Sequence, residues 1–341
     1  MRPALKSGLL PVWRDRDTLQ IGIDPRRAIA LSGMAGVAFL IALLDGSRDR
    51  RQVIATAEAA GVPAAVSERV LTLLAAGGVL DDFPASTLRE VPQPLRARLA
   101  AELATASLAH GDGDGGARLL ARRRLRSVWI EGERRIGRAV GRILAAAGVG
   151  QVRIGAMPGM QARSRPAAAR PAGPASRPAD ARPARAAIAG RPSLRPGRRP
   201  DLVIVVGPVG QDRSGWLTRN RLPHLAVSAS EAIGTVGPLV IPGQSACLRC
   251  LDHVRAAADP AWPLILAQLA MRRPDPVACD AVLASAVAAQ AAGQALIAID
   301  KGPAASAAVN GTIELVLPDW RWRRRTWPIH PACLCACQVA R

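Results

Sequence analysis

Two short cysteine pairs carry the most specific chemistry in this chain: Cys247-Leu-Arg-Cys250 and, about 80 residues later, Cys333-Leu-Cys335. Zinc favours four soft ligands in a tetrahedron, and two chelating thiolate pairs on turns supply that geometry with little strain. The expected product is one structural zinc per chain, ligated by Cys247, Cys250, Cys333 and Cys335. Cys337 and His330 are open alternatives in the second half, and His253, three residues after Cys250, is a weaker one. A closed four-ligand site leaves no position for substrate, so the metal would be a clip and not a catalyst. Cys279 stands apart, with no neighbour in sequence that would lower its thiol pKa, and is expected to pack against a helix. The four histidines, His110, His224, His253 and His330, sit in unrelated contexts, and no serine–histidine–aspartate set is assembled.

The elements that must position these groups divide the chain. With 341 residues, about two domains are expected. The hydrophobic fraction of 49% and charged fraction of 21% lie near globular averages, so the chain as a whole is not disordered. The formal charge is +20, and of the 46 basic residues only Lys6 and Lys301 are lysine. Such arginine enrichment follows a GC-rich coding bias, which weakens the charge as a sign of nucleic-acid binding. No segment reads as a membrane span. The run from Gly36 to Leu44 is far short of the roughly 20 residues a bilayer needs, and Ala281 to Ile299 is mostly alanine, interrupted by polar residues. The N-terminus lacks the apolar core of a signal peptide. A cytoplasmic protein with reduced, metal-binding cysteines is the expectation.

From Leu9 to Asp82 the pattern is three short strands, LLPVW, TLQIGI and AIAL, then three helices and a last strand at Val79–Asp82. Ser32 is positioned to cap the first helix, Asp49 begins the second and Pro63 the third. This order predicts a small winged-helix-like α+β module over 1–82. Residues 83–118 read as a helical connector, with a helix from Pro94 to Ala109 ahead of a turn-rich Gly-Asp-Gly-Asp-Gly-Gly stretch. From 119 to 341 the pattern becomes α/β: strand Ser127–Ile130, helix Arg135–Ala147 and strand Gln151–Ile154 form a βαβ unit, which implies a parallel sheet. Asp201–Val206, His224–Ser228 and Thr312–Leu317 add strands, and Gly237–Ile241 leads into the first cysteine pair. The interruption at 161–200 holds ten Arg, eight Pro and twelve Ala, and no aromatic residue. It cannot bury enough apolar surface to offset its ordering entropy, so disorder is expected there.

The block Gly237-Pro238-Leu239-x-x-Pro242-Gly243-x-x-x-Cys247-x-x-Cys250-x-Asp252, with the distant His330-Pro-Ala-Cys333-Leu-Cys335, resembles the C-terminal part of ThiF/MoeB/HesA-type adenylyltransferases. The likeness is greatest to the actinobacterial branch linked to thiazole/oxazole-modified (TOMM) peptides. The N-terminal module resembles the RiPP recognition element fused to that branch. Together the two resemblances cover about residues 5–82 and 120–341. They imply a doubly wound α/β sheet with a structural zinc clip. They also imply either ATP-dependent adenylation of a carboxylate or capture of a precursor leader for a YcaO-type cyclodehydratase partner, with homodimers common.

Against that pattern, the phosphate turn G-x-G-x-x-G reads Gly132-Glu-Arg134-Arg-Ile-Gly137, with Arg134 at the close-approach glycine and Glu133 beside it. Gly155 stands where a ribose-binding acid is implied, and Gly207-Pro208 where a magnesium-binding aspartate is implied, Asp212 being displaced downstream. Gly132 and Gly137 remain as a degenerate nucleotide turn, with ATP and magnesium in doubt and no catalytic residue assigned. The leading expectation is therefore a non-catalytic leader-binding scaffold. Its peptide would add as a strand to the edge Ala28-Ile29-Ala30-Leu31, walled by the helix Pro63–Ala76, with Arg69 attracting acidic side chains. An active adenylyltransferase is the alternative. A winged-helix nucleic-acid regulator is third, since 1–82 is nearly charge-balanced and its third helix offers one arginine.

Overall fold

The computed structural model describes residues 1–33, 36–82, 92–157, 199–271 and 277–335. The 161–200 stretch, apart from Arg199 and Pro200, and Cys337 lie outside the described residues. The chain forms two compact units, Met1–Arg124 with Ala146–Gly148, and Leu125–Ala145 with Val149–Arg341.

In the first unit, β1 (Pro3–Leu5) pairs antiparallel with β5 (Leu80–Asp82), and β2 (Pro11–Trp13), β3 (Thr18–Ile21) and β4 (Ile29–Ser32) form an antiparallel meander in that order. Ser32 does not cap a helix. Strand pairing claims it: it lies opposite Thr18, and the two hydroxyls are 3.1 Å apart. Helix α1 (Val37–Ala42) starts only after Gly36, which takes a left-handed conformation. Asp49 and Gln52 close a reciprocal capping box on α2 (Arg50–Ala59), and α3 (Ala64–Ala76) follows Pro63. Leu19, Ile21, Leu31, Leu40, Val53, Val70, Leu71 and Leu74 form the core between meander and helices.

The helix expected over Pro94–Ala109 is two, α4 (Gln93–Arg98) and α5 (Ala100–His110), and α6 (Ala117–Arg124) follows the glycine-rich turn. Asp114 starts α6 by accepting from the Gly116 and Arg118 amides. Within this unit buried Lys6 donates to Ser107 O at 2.8 Å and faces Asp81 at 3.7 Å, tying β1 and β5 to α5.

The second unit is built on a seven-stranded sheet of order β12-β11-β10-β9-β8-β6-β7. Strands β6 (Ser127–Gly132), β7 (Gln151–Ile154), β8 (Leu202–Val206) and β9 (His224–Ser230) are parallel. Strands β10 (Ile233–Val240), β11 (Gly311–Val316) and β12 (Arg321–Thr326) continue antiparallel. Helix α7 (Arg134–Ala146) crosses from β6 to β7 and α8 (Gln211–Arg219) from β8 to β9; α9 (Leu248–Ala258), α10 (Trp262–Met271) and α11 (Ala281–Lys301) follow β10. All five residues of β8 are buried, as befits a central parallel strand.

Helix α11 is the one described helix long and apolar enough to cross a membrane. Here its Leu283, Val287, Ala288, Ala291 and Ala295 stripe is buried in the sheet core. A Cβ on Gly234 of β10 would lie 2.2 Å from Val287 Cγ2, so helix and sheet touch closely there. The sequence pattern did not reveal β12: Arg-Trp-Arg-Arg-Arg-Thr has no apolar alternation, and all six residues are exposed.

His224, at the start of β9, is fully buried; Nδ1 meets Leu222 O at 2.9 Å and Nε2 has no partner among the described residues. Burial lowers its pKa from 6.5 to about 4, opposed by the Leu222 bond and helped by Arg213. The unfolded chain therefore takes up this proton first as pH falls. Stability is full above about pH 6.5 and declines toward pH 4, by about 3 kcal/mol. Urea unfolding at pH 7 and pH 4.5 should show a smaller acid loss in His224→Leu than in wild type. Equal losses in both proteins would refute the assignment.

Candidate functional site

The four cysteines are brought together by two turns at the antiparallel end of the sheet. Cys247 is the N-cap of α9 and Cys250 lies one turn inside it. Ala246 N donates to Asn310 Oδ1 at 2.7 Å, anchoring the turn to the residue that precedes β11. After β12, buried Trp327 donates through Nε1 to Thr312 Oγ1, and the chain turns at His330–Cys333 to present the second pair. The sulfur atoms of Cys247, Cys250, Cys333 and Cys335 all lie within 4.8 Å of one another, and all four residues are buried. Neighbouring Sγ–Sγ distances are 3.8 Å (Cys247–Cys250), 3.6 Å (Cys247–Cys333) and 3.3 Å (Cys250–Cys335). A tetrahedron with zinc–sulfur bonds of about 2.3 Å has edges of about 3.8 Å, while a disulfide needs about 2.0 Å.

The set can therefore hold a metal ion such as zinc. Its own chemistry points the same way. The Cys247 thiol and nearby backbone amides draw Cys250 down to about 4, whereas Cys247 is pushed up by its bond to Cys250, and Cys335 to about 12 by burial. Packed thiols can carry little negative charge without a cation to share it. His330 is not part of the cluster: its ring stacks on His253 at 4.8 Å, and Nδ1 accepts from Ala332 N. Cys279 is half-buried, with its thiol pushed up by burial, the opposite of activation.

The Gly132–Gly137 turn sits where the strand order reverses, between β6 and β8, at their carboxyl ends. This is the crevice in which doubly wound sheets bind ligands. Gly132 has φ +104°, and a Cβ there would lie 1.9 Å from Val206 O, so β6 and β8 meet backbone to backbone. Glu133 N donates to Val206 O at 2.9 Å. The Glu133 carboxylate then folds over the start of α7 and accepts from the amides of Arg135 (2.5 Å) and Ile136 (2.7 Å). Those are the donors a phosphate would use, and an internal anion holds them.

Beneath the turn, Glu131 forms a two-bond ion pair with Arg213 of α8, and the Arg213 guanidinium also lies 4.8 Å from the Trp216 ring centroid. Gly137 is buried in α7, where a Cβ would meet Ile130 Cγ2 at 3.4 Å; it serves helix–strand packing. Gly155 offers no side chain after β7, and its carbonyl accepts from Trp129 Nε1 at 2.6 Å. Asp212 is exposed in the first turn of α8.

In the first unit β4 is an edge of its sheet. The Gly33 N to Asp17 O bond sets the phase of the β3–β4 ladder. Residues 29, 31 and 33 thus turn their amides to β3, while Ala30 and Ser32 turn theirs outward. Leu31 corrects the sequence-based expectation: its side chain is core and its backbone is already paired, so it faces no groove. Ala28 N is bonded to Asp24 O. Ile29 reaches α3, a Cβ on Gly77 falling 2.1 Å from Ile29 Cδ1. Arg69, Thr72 and Leu73 are exposed on α3, whereas Val70, Leu71 and Leu74 are buried.

The chain has the fold of MccB and of the heterocyclase TruD. Against E. coli MccB solved with ATP, the TM-score is 0.61 at 12% identity, covering 99% of this chain and 100% of that one. Against TruD it is 0.61 at 16% identity, covering 98% of this chain and 42% of TruD. A heterocyclase in complex with substrate and cofactor gives 0.63 at 14% identity, with 98% and 39% covered. This chain thus spans nearly all of MccB and less than half of either heterocyclase. No protein-family model and no curated protein matches the sequence itself. The two cysteine pairs that come together here were readable from sequence. The Glu131–Arg213 pair was not, since it depends on which elements become neighbours across 82 residues; the Glu133 cap is a local contact to amides two and three residues ahead that the sequence reading passed over.

Proposed function

We propose that this protein is a leader-peptide-binding scaffold in azoline-forming (TOMM-type) ribosomal peptide biosynthesis, with an adenylyltransferase domain that no longer turns over ATP. One observation carries the reading: a chain with the fold of MccB and TruD keeps an open strand edge at β4 while Glu133 fills its own phosphate turn. The first unit, a winged-helix-like recognition element over about 1–82, takes an extended precursor leader against Ala30 and Ser32, with α3 and Arg69 beside it. The domain from about 119 onward serves as a docking body, clipped by zinc at Cys247, Cys250, Cys333 and Cys335. A YcaO-type cyclodehydratase is the partner, a homodimer the assembly, and the cytoplasm the location.

The test is a titration of the full chain with a fluorescent leader taken from a neighbouring precursor gene. Ala30→Pro removes an outward amide donor and is expected to weaken binding about tenfold, whereas ATP with magnesium should give no pyrophosphate exchange. Undiminished leader binding by Ala30→Pro would overturn the edge assignment. The second reading, an active ATP-dependent adenylyltransferase, draws on the MccB–ATP complex of the same fold. Micromolar ATP binding or carboxylate-dependent pyrophosphate exchange would establish it and refute the first.

A further inference from the structure

The far edge of the seven-stranded sheet is β12, Arg321-Trp322-Arg323-Arg324-Arg325-Thr326, and every residue of it is exposed. Trp327 N donates to Asn310 O at 2.9 Å, which sets the phase of the β11–β12 ladder. With the register pairing Arg325 to Thr312 and Arg323 to Glu314, those residues turn their amides inward. Trp322, Arg324 and Thr326 therefore offer open N–H and C=O groups along the edge. Side chains alternate across the strand, so Arg321, Arg323 and Arg325 share one face, and Trp322 and Arg324 the other.

Part of this charge is already committed within the unit. Arg324 donates to the carbonyls of Ala307 and Val309, Arg323 reaches Asp319 at 3.4 Å, and Arg325 lies 4.3 Å from the Trp327 ring centroid. Arg255 stacks on the same Trp327 ring as Arg325; burial lowers its pKa and Arg325 adds to that, while Asp252 and Glu314 oppose it. The face is therefore cationic, its three strand arginines and Arg255 only partly neutralised by Asp252, Glu314 and Asp319.

We infer that β12 is a docking edge for an acidic extended peptide, added as an eighth strand with Asp or Glu at alternate positions facing Arg321, Arg323 and Arg325. Two arguments select this occupant. An added strand satisfies both the donors and the acceptors of the edge, whereas a nucleic-acid backbone presents acceptors to the open carbonyls. A second copy pairing through the same edge would set arginine against arginine, which destabilises a cross-strand pair. Charge alone serves to guard an edge from aggregation. A guard strand has no use for exposed indoles, yet Trp320 and Trp322 are 43% and 42% accessible.

The experiment titrates the full-length protein with a labelled ten-residue peptide alternating Glu and Val. Two controls accompany it: the same composition in blocks, and a single-stranded oligodeoxynucleotide of equal charge. The alternating peptide is expected to bind at least about tenfold more tightly than the block peptide, with affinity falling as salt rises. Arg323→Glu/Arg325→Glu, checked for folding by circular dichroism, should lose about tenfold or more, as expected for two exposed ion pairs turned repulsive. Ala30→Pro should leave this binding unchanged, which separates it from leader capture at β4. Equal binding of block and alternating peptides, tighter binding of the oligonucleotide, binding of neither peptide, or an unmoved affinity in the double variant would each overturn the proposal.

Discussion

Replacing Cys247 with serine is expected to abolish metal binding by the four-cysteine cluster and unfold the second unit under conditions where the wild type is stable. The ligand pairs lie about 85 residues apart and nothing covalent joins them, so the metal would carry the contact among α9, β11 and the turn after β12. In small zinc domains the metal contributes about 10–16 kcal/mol at neutral pH, and a whole domain is stable by only about 5–15 kcal/mol. Even a fraction of that contribution, lost with one ligand, is enough to unfold the unit. Cys333→Ser should match it, because both positions are buried in the same small cluster with Trp327, Val240 and Leu251. Elemental analysis should find one zinc per wild-type chain, and a chelator should lower the thermal midpoint. Stoichiometric absence of zinc together with a chelator-insensitive midpoint would remove the metal from the account.

Arg213→Met is expected to cost about 3–5 kcal/mol, because it leaves the Glu131 carboxylate nearly buried and without its counter-ion. The two side chains are 9% and 13% exposed, so solvent screens the pair little. The double variant Arg213→Met/Glu131→Leu should recover most of that loss, since an apolar pair of similar volume removes the stranded charge and the desolvation cost together. Denaturant unfolding of the two single variants and the double variant forms the cycle. A double variant as unstable as the sum of the singles would show that the two residues act separately. The pair also bears on function. It holds the ends of β6 and α8 together directly below the turn that Glu133 caps, so its loss is expected to loosen that turn without creating a phosphate site.

Local signals were legible wherever the physics is local. Asp49 and Gln52 are three residues apart and cap α2 whatever surrounds them, and β7 spans the run Gln151–Ile154 that its apolar pattern predicts. The spacing within each cysteine pair is likewise a property of a few consecutive residues. Ser32 was misread because two local fates compete for it, and pairing with Thr18, fourteen residues back, outweighs a cap. Leu31 was placed at a peptide edge because strand position alone does not say which alternate residues face the core or which amides are already bonded.

By itself the sequence determined the chemistry available: four thiols in two chelating pairs, a strand-to-helix turn over Gly132–Gly137 with Arg134 inside it, and a central strand apolar throughout. The reason is that these depend on residue type and short-range spacing. The tertiary structure alone decided that the two pairs, 86 residues apart from Cys247 to Cys333, meet at 3.6 Å. It also decided that Glu131 finds Arg213 across 82 residues, and that Arg321–Thr326 forms an exposed edge strand. Each of these follows from the order of strands in the sheet. That order is set by burial of long-range apolar surface, and periodicity within one segment holds no record of it.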